Sequence, residues 1–252
     1  MAEEFLVSII TPAYNCSKTI LETFDSIKKQ SYSRWEWVVV EDHSSDNTFE
    51  ILTKLANEDK RIVLLQTSKN SGTAIARNIG IDNANGRFIA FLDADDMWKP
   101  NKLEKQIGYM TSQNVPFTYS NYDVLFPDGR VVPFNPRKKY ADYRSLLKRN
   151  DIGCLTVVYD SSKIEKAYMP LDAQKREDYA AWLDVTKKGI VAVKIDENLA
   201  IYRLGNATLT SNKKKMVKYH YRVYRNHEKF GVIKSLYYLA IFTVKKKFSK
   251  YN

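Results

Sequence analysis

Residues 5–11 (FLVSIIT) form a short apolar, β-branched run that predicts a buried strand. Residues 15–30 begin polar and then place Ile20, Phe24 and Ile27 on one helical face, with Ser17 as the expected cap. The alternation repeats twice and ends on a fourth strand. Residues 35–40 (WEWVVV) predict a second buried strand, and residues 46–57 a helix with Phe49, Leu52 and Leu55 at helical spacing. Residues 61–66 (RIVLLQ) predict a third strand and residues 73–83 a helix stopped by Asn85-Gly86. Residues 87–92 (RFIAFL) predict a fourth strand that ends abruptly in Asp93-Ala94-Asp95-Asp96. Strands alternating with helices at this spacing imply an α/β fold, a Rossmann-like parallel sheet with helices on both faces. Ligands of such sheets sit at the carboxyl ends of the strands.

Composition narrows the class. The 252 residues are 44% apolar and 27% charged, enough for one sizeable core and unlike a disordered chain. No apolar run reaches the length of a membrane span. The N-terminus is acidic where a signal peptide is basic, so a cytoplasmic location is expected. Cys16 and Cys154 form no disulfide framework, and His43, His220 and His227 show no metal-ligand spacing. A metal is therefore expected on oxygen, which favours Mg²⁺ or Mn²⁺. The net charge is +11, and the excess lies in the last forty residues. Nucleic acid would suit that charge, but the acidic strand ends oppose it, and no nucleic-acid partner is expected.

Three segments carry candidate chemistry. In an extended segment, residues i and i+2 share a side, so Asp93 and Asp95 face one site and Asp96 points elsewhere. Carboxylates this close repel one another unless a cation is present, and a divalent ion also binds a diphosphate. The competing reading is a solvated, helix-capping turn. In Glu41-Asp42-His43-Ser44-Ser45-Asp46, Asp42 suits the N3–H of uracil or a ribose hydroxyl, while Ser44, Ser45 or Asp46 serves the next helix. The matching turn after the first strand is Thr11-Pro12-Ala13-Tyr14-Asn15, in which Tyr14 suits packing or a wall beside a base equally well. Asn70-Ser71-Gly72 opens the helix that carries Arg77, which reads either as a solvated arginine or as one reaching the nucleotide or the acidic cluster.

The succession ITPAYN, VVVEDHSSDNT, GTAIARNIG and FLDADD resembles the inverting family 2 glycosyltransferases of GT-A fold, closely over residues 5–100 and more loosely to about 210. The resemblance implies nucleotide-sugar contacts at Thr11, Pro12, Tyr14, Asp42, Arg77, Asp93 and Ala94, and a metal at Asp95 and Asp93. It also implies a catalytic base at Asp178, within Arg176-Glu177-Asp178-Tyr179 at the start of an amphipathic helix. The family often carries a histidine after its Tyr-Arg pair. Here Gly205 follows Tyr202-Arg203-Leu204, which leaves the third metal position to water, donor phosphate or Asn206. A UDP-sugar donor, a glycan or lipid-linked acceptor and a role in bacterial capsule, O-antigen or teichuronic-type polysaccharide are what the resemblance implies. The Gln-x-x-Arg-Trp pattern of processive synthases is missing, so transfer of a single sugar is expected.

The expected organisation is a nucleotide-sugar part over 1–100, an acceptor and base part over 101–211, and a basic amphipathic helical extension over 212–252. In the extension, an apolar stretch around residues 236–244 abuts Lys245, Lys246, Lys247 and Lys250. It suits either an interfacial helix on anionic lipid, with Tyr237, Tyr238 and Phe242 at the headgroups, or a helix packed on the enzyme. A nucleotidyltransferase and a silent nucleotide-binding scaffold are the rival classes; the first lacks its usual Gly-rich phosphate loop.

Overall fold

A computed structural model describes residues 5–205 and 213–247, with side chains of 216–243 in the second span. The first four strands are β1 (Val7–Ala13), β2 (Trp35–Glu41), β3 (Ile62–Gln66) and β4 (Phe88–Phe91). The intervening helices are α1 (Ile20–Lys28), α2 (Thr48–Glu58) and α3 (Thr73–Asp82). β5 (Met97–Trp98), α4 (Lys102–Ser112), β6 (Phe117–Leu125), β7 (Val131–Phe134), β8 (Tyr140–Ala141) and α5 (Tyr143–Leu146) follow. The chain continues through β9 (Val158–Asp160), α6 (Glu177–Lys187), β10 (Ala192–Arg203), α7 (Lys213–Arg222), a π-helical turn (Val223–His227) and α8 (Val232–Lys247).

The strands form one mixed sheet in the order β3-β2-β1-β4-β9-β6-β10-β5, with β7 on β6 and β8 on β10. β1 pairs in parallel with β2 on one side and β4 on the other. The chain thus steps outward from β1 to β3 and returns to the opposite side of β1, which makes a switch point at the ends of β1 and β4. The acidic turn emerges there. β9 runs antiparallel between β4 and β6, and β10 runs parallel to β6.

The strands look apolar throughout because both faces are covered. Ile9, Trp37, Val39 and Ala90 pack with Phe24, Leu52, Leu103 and Ile107 of α1, α2 and α4. Ile10, Val38, Ile89 and Phe91 pack with Ala74, Ile81, Trp182 and Leu183 of α3 and α6. α3 lies very close to the sheet: a Cβ on Gly80 would come within 2.6 Å of Ile10 Cγ2. Val223 and Tyr224 join this second core and are fully buried, and the Tyr224 hydroxyl donates to Leu147 O at 2.8 Å.

Two expectations change. Ser17 does not cap α1; its amide donates to Asp46 Oδ2 at 3.2 Å, because Asn15 has a left-handed φ of 48° and the chain turns before the helix starts. In α8, Tyr238 and Phe242 lie one helical turn apart and face inward. Tyr238 meets Tyr224 and Phe230, and buried Phe242 stacks on His220 with ring centroids 3.6 Å apart. Of the three aromatics expected at headgroups only Tyr237 is exposed, and it belongs to an outward stripe with Ile233, Leu236 and Ala240. No described helix is long and apolar enough to cross a membrane.

Candidate active site

The loops after β1 and β2 are laced into one platform. Asn15 Oδ1 accepts from the Ser45 amide at 2.8 Å, and the Asn15 amide donates to Ser44 Oγ at 3.0 Å. Burial disfavours the Asp46 charge, but hydrogen bonds from Thr48 and Ser17 outweigh it and hold that carboxyl down at about 2. Thr11 at the end of β1 is fully buried, and its hydroxyl accepts from Trp37 Nε1 at 2.8 Å. It braces the site from below. Pro12 beside it is half-buried and Tyr14 exposed.

Asp42 is buried at the end of β2 and organises the next loop. Its Oδ1 accepts from the Thr67 hydroxyl at 2.8 Å and the Ser71 amide at 2.9 Å. Its Oδ2 accepts from the Gly72 amide at 2.7 Å. Gly72 has φ of +91°, a conformation that costs glycine least, and so Asp42 sets where α3 begins. One turn on, Arg77 is buried and donates from Nη2 to Asp93 Oδ1.

The acidic turn is held from α1: the Thr19 and Thr23 hydroxyls donate to Ala94 O at 2.9 and 3.0 Å, and Thr23 also donates to Asp96 O at 2.9 Å. Asp96 turns inward and accepts from the Arg203 amide at 2.9 Å. Asp95 is exposed. Partial desolvation of its carboxyl, and then the adjacent Asp93 charge, push it up to about 6. Burial, then Asp95 and Asp93, raise Asp96 well above the carboxylate range, and its Oδ2 has no partner among the described residues. Burial works against the charge of Arg77, but Asp93, then Cys154 and Asp178, outweigh it and hold the guanidinium charged above its ordinary range. Asp93 at the end of β4 and Asp178 in the first turn of α6 therefore act on the same guanidinium.

The family model described as glycosyl transferase family 2 matches residues 8–186. The chain belongs to glycosyl transferase family 2. It is 40% identical over 231 residues to TuaG, the glycosyltransferase assigned to teichuronic acid biosynthesis in Bacillus subtilis (strain 168), covering 91% of each chain. It is 42% identical over 218 residues to the UDP-Glc:alpha-D-GlcNAc-diphosphoundecaprenol beta-1,3-glucosyltransferase WfgD of Escherichia coli, covering 86% of this chain and 84% of that one. The mannosyltransferase PcManGT from Pyrobaculum calidifontis, solved with GDP-Man and Mn²⁺, superposes with a TM-score of 0.72 at 17% identity, over 94% of this chain and 70% of that one. The fold is GT-A, and the protein is a glycosyltransferase related to transferases of polysaccharide biosynthesis.

In this family 2 transferase Asp42 follows β2, Arg77 stands in the middle of α3, and Asp93 and Asp95 follow β4, with Arg77 bound to Asp93 and Asp42 bound to the start of α3. Pro12, Tyr14 and the pinned Ala94 lie on the adjoining turns, and the charge of Asp178, in the first turn of α6, acts on Arg77. Asp178 is half-buried, with no hydrogen bond or ion pair among the described residues. Two cations escaped the sequence reading. Arg203 donates from Nε to Asp95 O at 3.0 Å and from Nη2 to Glu22, and so ties the end of β10 to the acidic turn. Arg176 is half-buried, with its Nε unpartnered among the described residues; burial holds it below its ordinary range, against Asp178. The signal for both was present, a Tyr-Arg pair and an arginine preceding Glu-Asp, but their neighbours come from distant elements. Asn206, the alternative third metal ligand, lies outside the described residues.

Proposed function

We propose that this glycosyltransferase moves one sugar from a UDP-sugar to a lipid-linked glycan acceptor with inversion, in bacterial surface polysaccharide synthesis. The observation that carries the reading is the acidic turn after β4, where Asp93 is paired with buried Arg77 and Asp95 is exposed, an arrangement suited to a diphosphate-bound cation; Asp178, whose charge also acts on Arg77 from the first turn of α6, has no partner among the described residues and is suited to be a base. The activity for which WfgD is named, a UDP-Glc transferase acting on a diphosphoundecaprenol sugar, supports the donor and acceptor classes.

The acidic turn fits Mn²⁺ or Mg²⁺. Its donors are carboxylate oxygens, and a divalent charge offsets both the burial and the adjacent Asp93 charge that push Asp95 up to about 6. Asp95 and Asp93 would hold the ion, which when bound neutralises charge on the departing diphosphate. Asp42 has filled three of its roughly four acceptor positions with the loop 67–72, which leaves one for the nucleotide. Tyr14 stands exposed beside it as a wall for the base. Arg77 keeps Asp93 in place and adds a fixed positive charge under the donor. Asp178 accepts the acceptor hydroxyl proton as that oxygen bonds to the anomeric carbon. The bond from that carbon to the diphosphate oxygen breaks on the opposite face, UDP departs, and configuration inverts.

The extension supplies the surface at which a lipid-linked acceptor resides. Ile233, Leu236, Tyr237 and Ala240 recur at i, i+3, i+4 and i+7 on the outward face of α8, beside a lysine-rich sequence. We place the enzyme peripherally on anionic membrane at the cytoplasmic side, with the catalytic part over 1–211 and the extension over 212–252. The test is a panel of UDP-sugars offered with a polyprenyl-diphosphate-linked sugar in anionic vesicles, with product configuration read by NMR. One UDP-sugar is expected to give a single-sugar product of inverted configuration. A retained configuration, or UDP release indifferent to every acceptor offered, would contradict the reading.

A further inference from the structure

A second group of titratable side chains lies at the opposite end of α6 from Asp178. One donor atom each from Asp184 of α6, His227 at the end of the π-helical turn and Glu228 lies within 4.8 Å of the others. His227 Nε2 is 2.9 Å from Asp184 Oδ1, and its Nδ1 is 3.0 Å from Asp172 Oδ1. The side chain of Glu228 is fully buried. Its Oε2 accepts from Lys187 Nζ at 3.0 Å and from the Tyr143 hydroxyl, while its Oε1 has no partner among the described residues.

Two arrangements compete. As an imidazolium, His227 satisfies Asp172 and Asp184. Glu228 Oε1 then stays buried without a donor, and three carboxylates face only the two charges of His227 and Lys187. As a neutral imidazole on a divalent ion, His227 presents Nε2 to the ion beside Asp184 and Glu228, and its Nδ1–H donates to Asp172. That is the orienting hydrogen bond metal-bound histidines commonly make. The same three carboxylates are then matched by Lys187 and the ion, and the orphaned oxygen gains a partner. The backbone agrees. The Glu228 amide donates to Val223 O at 2.9 Å, one residue further back than in an α-helix, and such π turns collect at functional sites. This widened turn lets consecutive residues, His227 and Glu228, both reach α6, at Asp184 and Lys187.

We propose that Asp184, His227 and Glu228 bind a divalent cation of the zinc type, separate from Asp93 and Asp95, with Asp172 orienting the imidazole. One nitrogen and two carboxylates suit zinc better than magnesium. The ion would pin the C-terminal helices to α6, the helix that begins with Glu177-Asp178.

The experiment uses full-length protein carrying Asp95→Asn, stripped with EDTA and titrated with Co²⁺ under visible spectroscopy. A nitrogen-containing site of low coordination number gives intense d–d bands, whereas a residual oxygen-only site stays pale. One equivalent of Co²⁺ is expected to develop the bands and Zn²⁺ to bleach them. Asp172→Asn in the same background should weaken uptake by ~10–100-fold, and isosteric Glu228→Gln or His227→Gln should remove the bands. A folded Asp95→Asn protein that develops no such bands overturns the proposal, whatever the ligand variants do. Bands of unchanged strength in folded His227→Gln or Glu228→Gln overturn it as well; His227 is then an imidazolium clamp.

Discussion

Arg77 is where residue-scale chemistry concentrates, because its guanidinium holds Asp93 while the charge of Asp178 acts on it from α6. The acidic turn beside it should make transfer depend on a divalent ion. EDTA is expected to abolish transfer, added Mn²⁺ or Mg²⁺ to restore it, and Asp95→Asn to be nearly inactive; full activity after exhaustive chelation would remove the metal from the account. Asp42 gives a second expectation. Asn in its place would turn an amide N–H₂ toward the Gly72 or Ser71 amide, which are donors themselves. With that loop loosened and the acceptor left for the nucleotide no longer charged, a loss of about 1.5 kcal/mol, UDP affinity should fall by ~10-fold in calorimetry. At this scale the sequence shows the carboxylates but few of their partners. Asp93, Asp95 and Asp178 stand out because buried strands and a helix start precede or follow them. Of the two readings the sequence left for Arg77, a solvated arginine or one reaching the nucleotide or the acidic cluster, the structure realises the contact with the cluster; what decides it, how closely α3 crosses β1 at Gly80, has no local signature.

Among the elements, β1 and β4 carry the site, and their register is enforced where they begin. A Cβ on Gly86 would come within 2.5 Å of Ser8 N and 2.8 Å of Leu6 O, both backbone atoms that cannot rotate away. Gly86→Ala should therefore destabilise the enzyme by about 1–3 kcal/mol or more in denaturant unfolding. The other edge of β4 is fastened by Arg87, whose Nε and Nη2 meet both oxygens of buried Asp160 on β9. Burial raises the Asp160 pKa, but the Arg87 and Ser162 hydrogen bonds outweigh it and hold the carboxyl below its ordinary value. The sign follows: the folded pKa lies below the unfolded one, so this stabilisation is complete above about pH 4 and is lost as pH falls through the folded value. Unfolding of wild type and Asp160→Asn, measured from pH 7 down to acid, should converge as pH falls; a constant gap would exclude the pair as the cause.

The four leading strands were legible because two covered faces give unbroken apolar runs. β6 was not, since it carries buried Ser120, Asn121 and Asp123 in mid-strand. Two of those residues are paired with distant elements: Asn121 Nδ2 donates to Asp196 at 3.0 Å, and Lys99 Nζ lies 2.6 Å from Asp123. A pattern whose polar positions are paired across the fold has no local signature.

Across the whole molecule, the extension is part enzyme and part surface. Tyr238 and Leu239 pack against the second core, and Phe242 is buried on His220, which stacks on Tyr179 of α6, so deleting residues 232–252 would strip cover from the catalytic part as well. The sequence showed an amphipathic helix but not which aromatics turn inward, because α7 and the π-helical turn decide that. The sharper test changes only the outward stripe. Ile233→Ser with Leu236→Ser should leave thermal unfolding near wild type and cut sedimentation with anionic vesicles by ~10-fold or more at low salt. Unchanged sedimentation would refute the membrane reading. The central claim is that donor binding and acceptor deprotonation are separate tasks, the first at the acidic turn and the second at Asp178, and Asp178→Asn addresses it most directly. With Mn²⁺ present, UDP affinity of that variant should stay close to wild type while turnover falls by ~10²-fold or more. Loss of UDP binding along with turnover, or turnover left intact, would contradict the account.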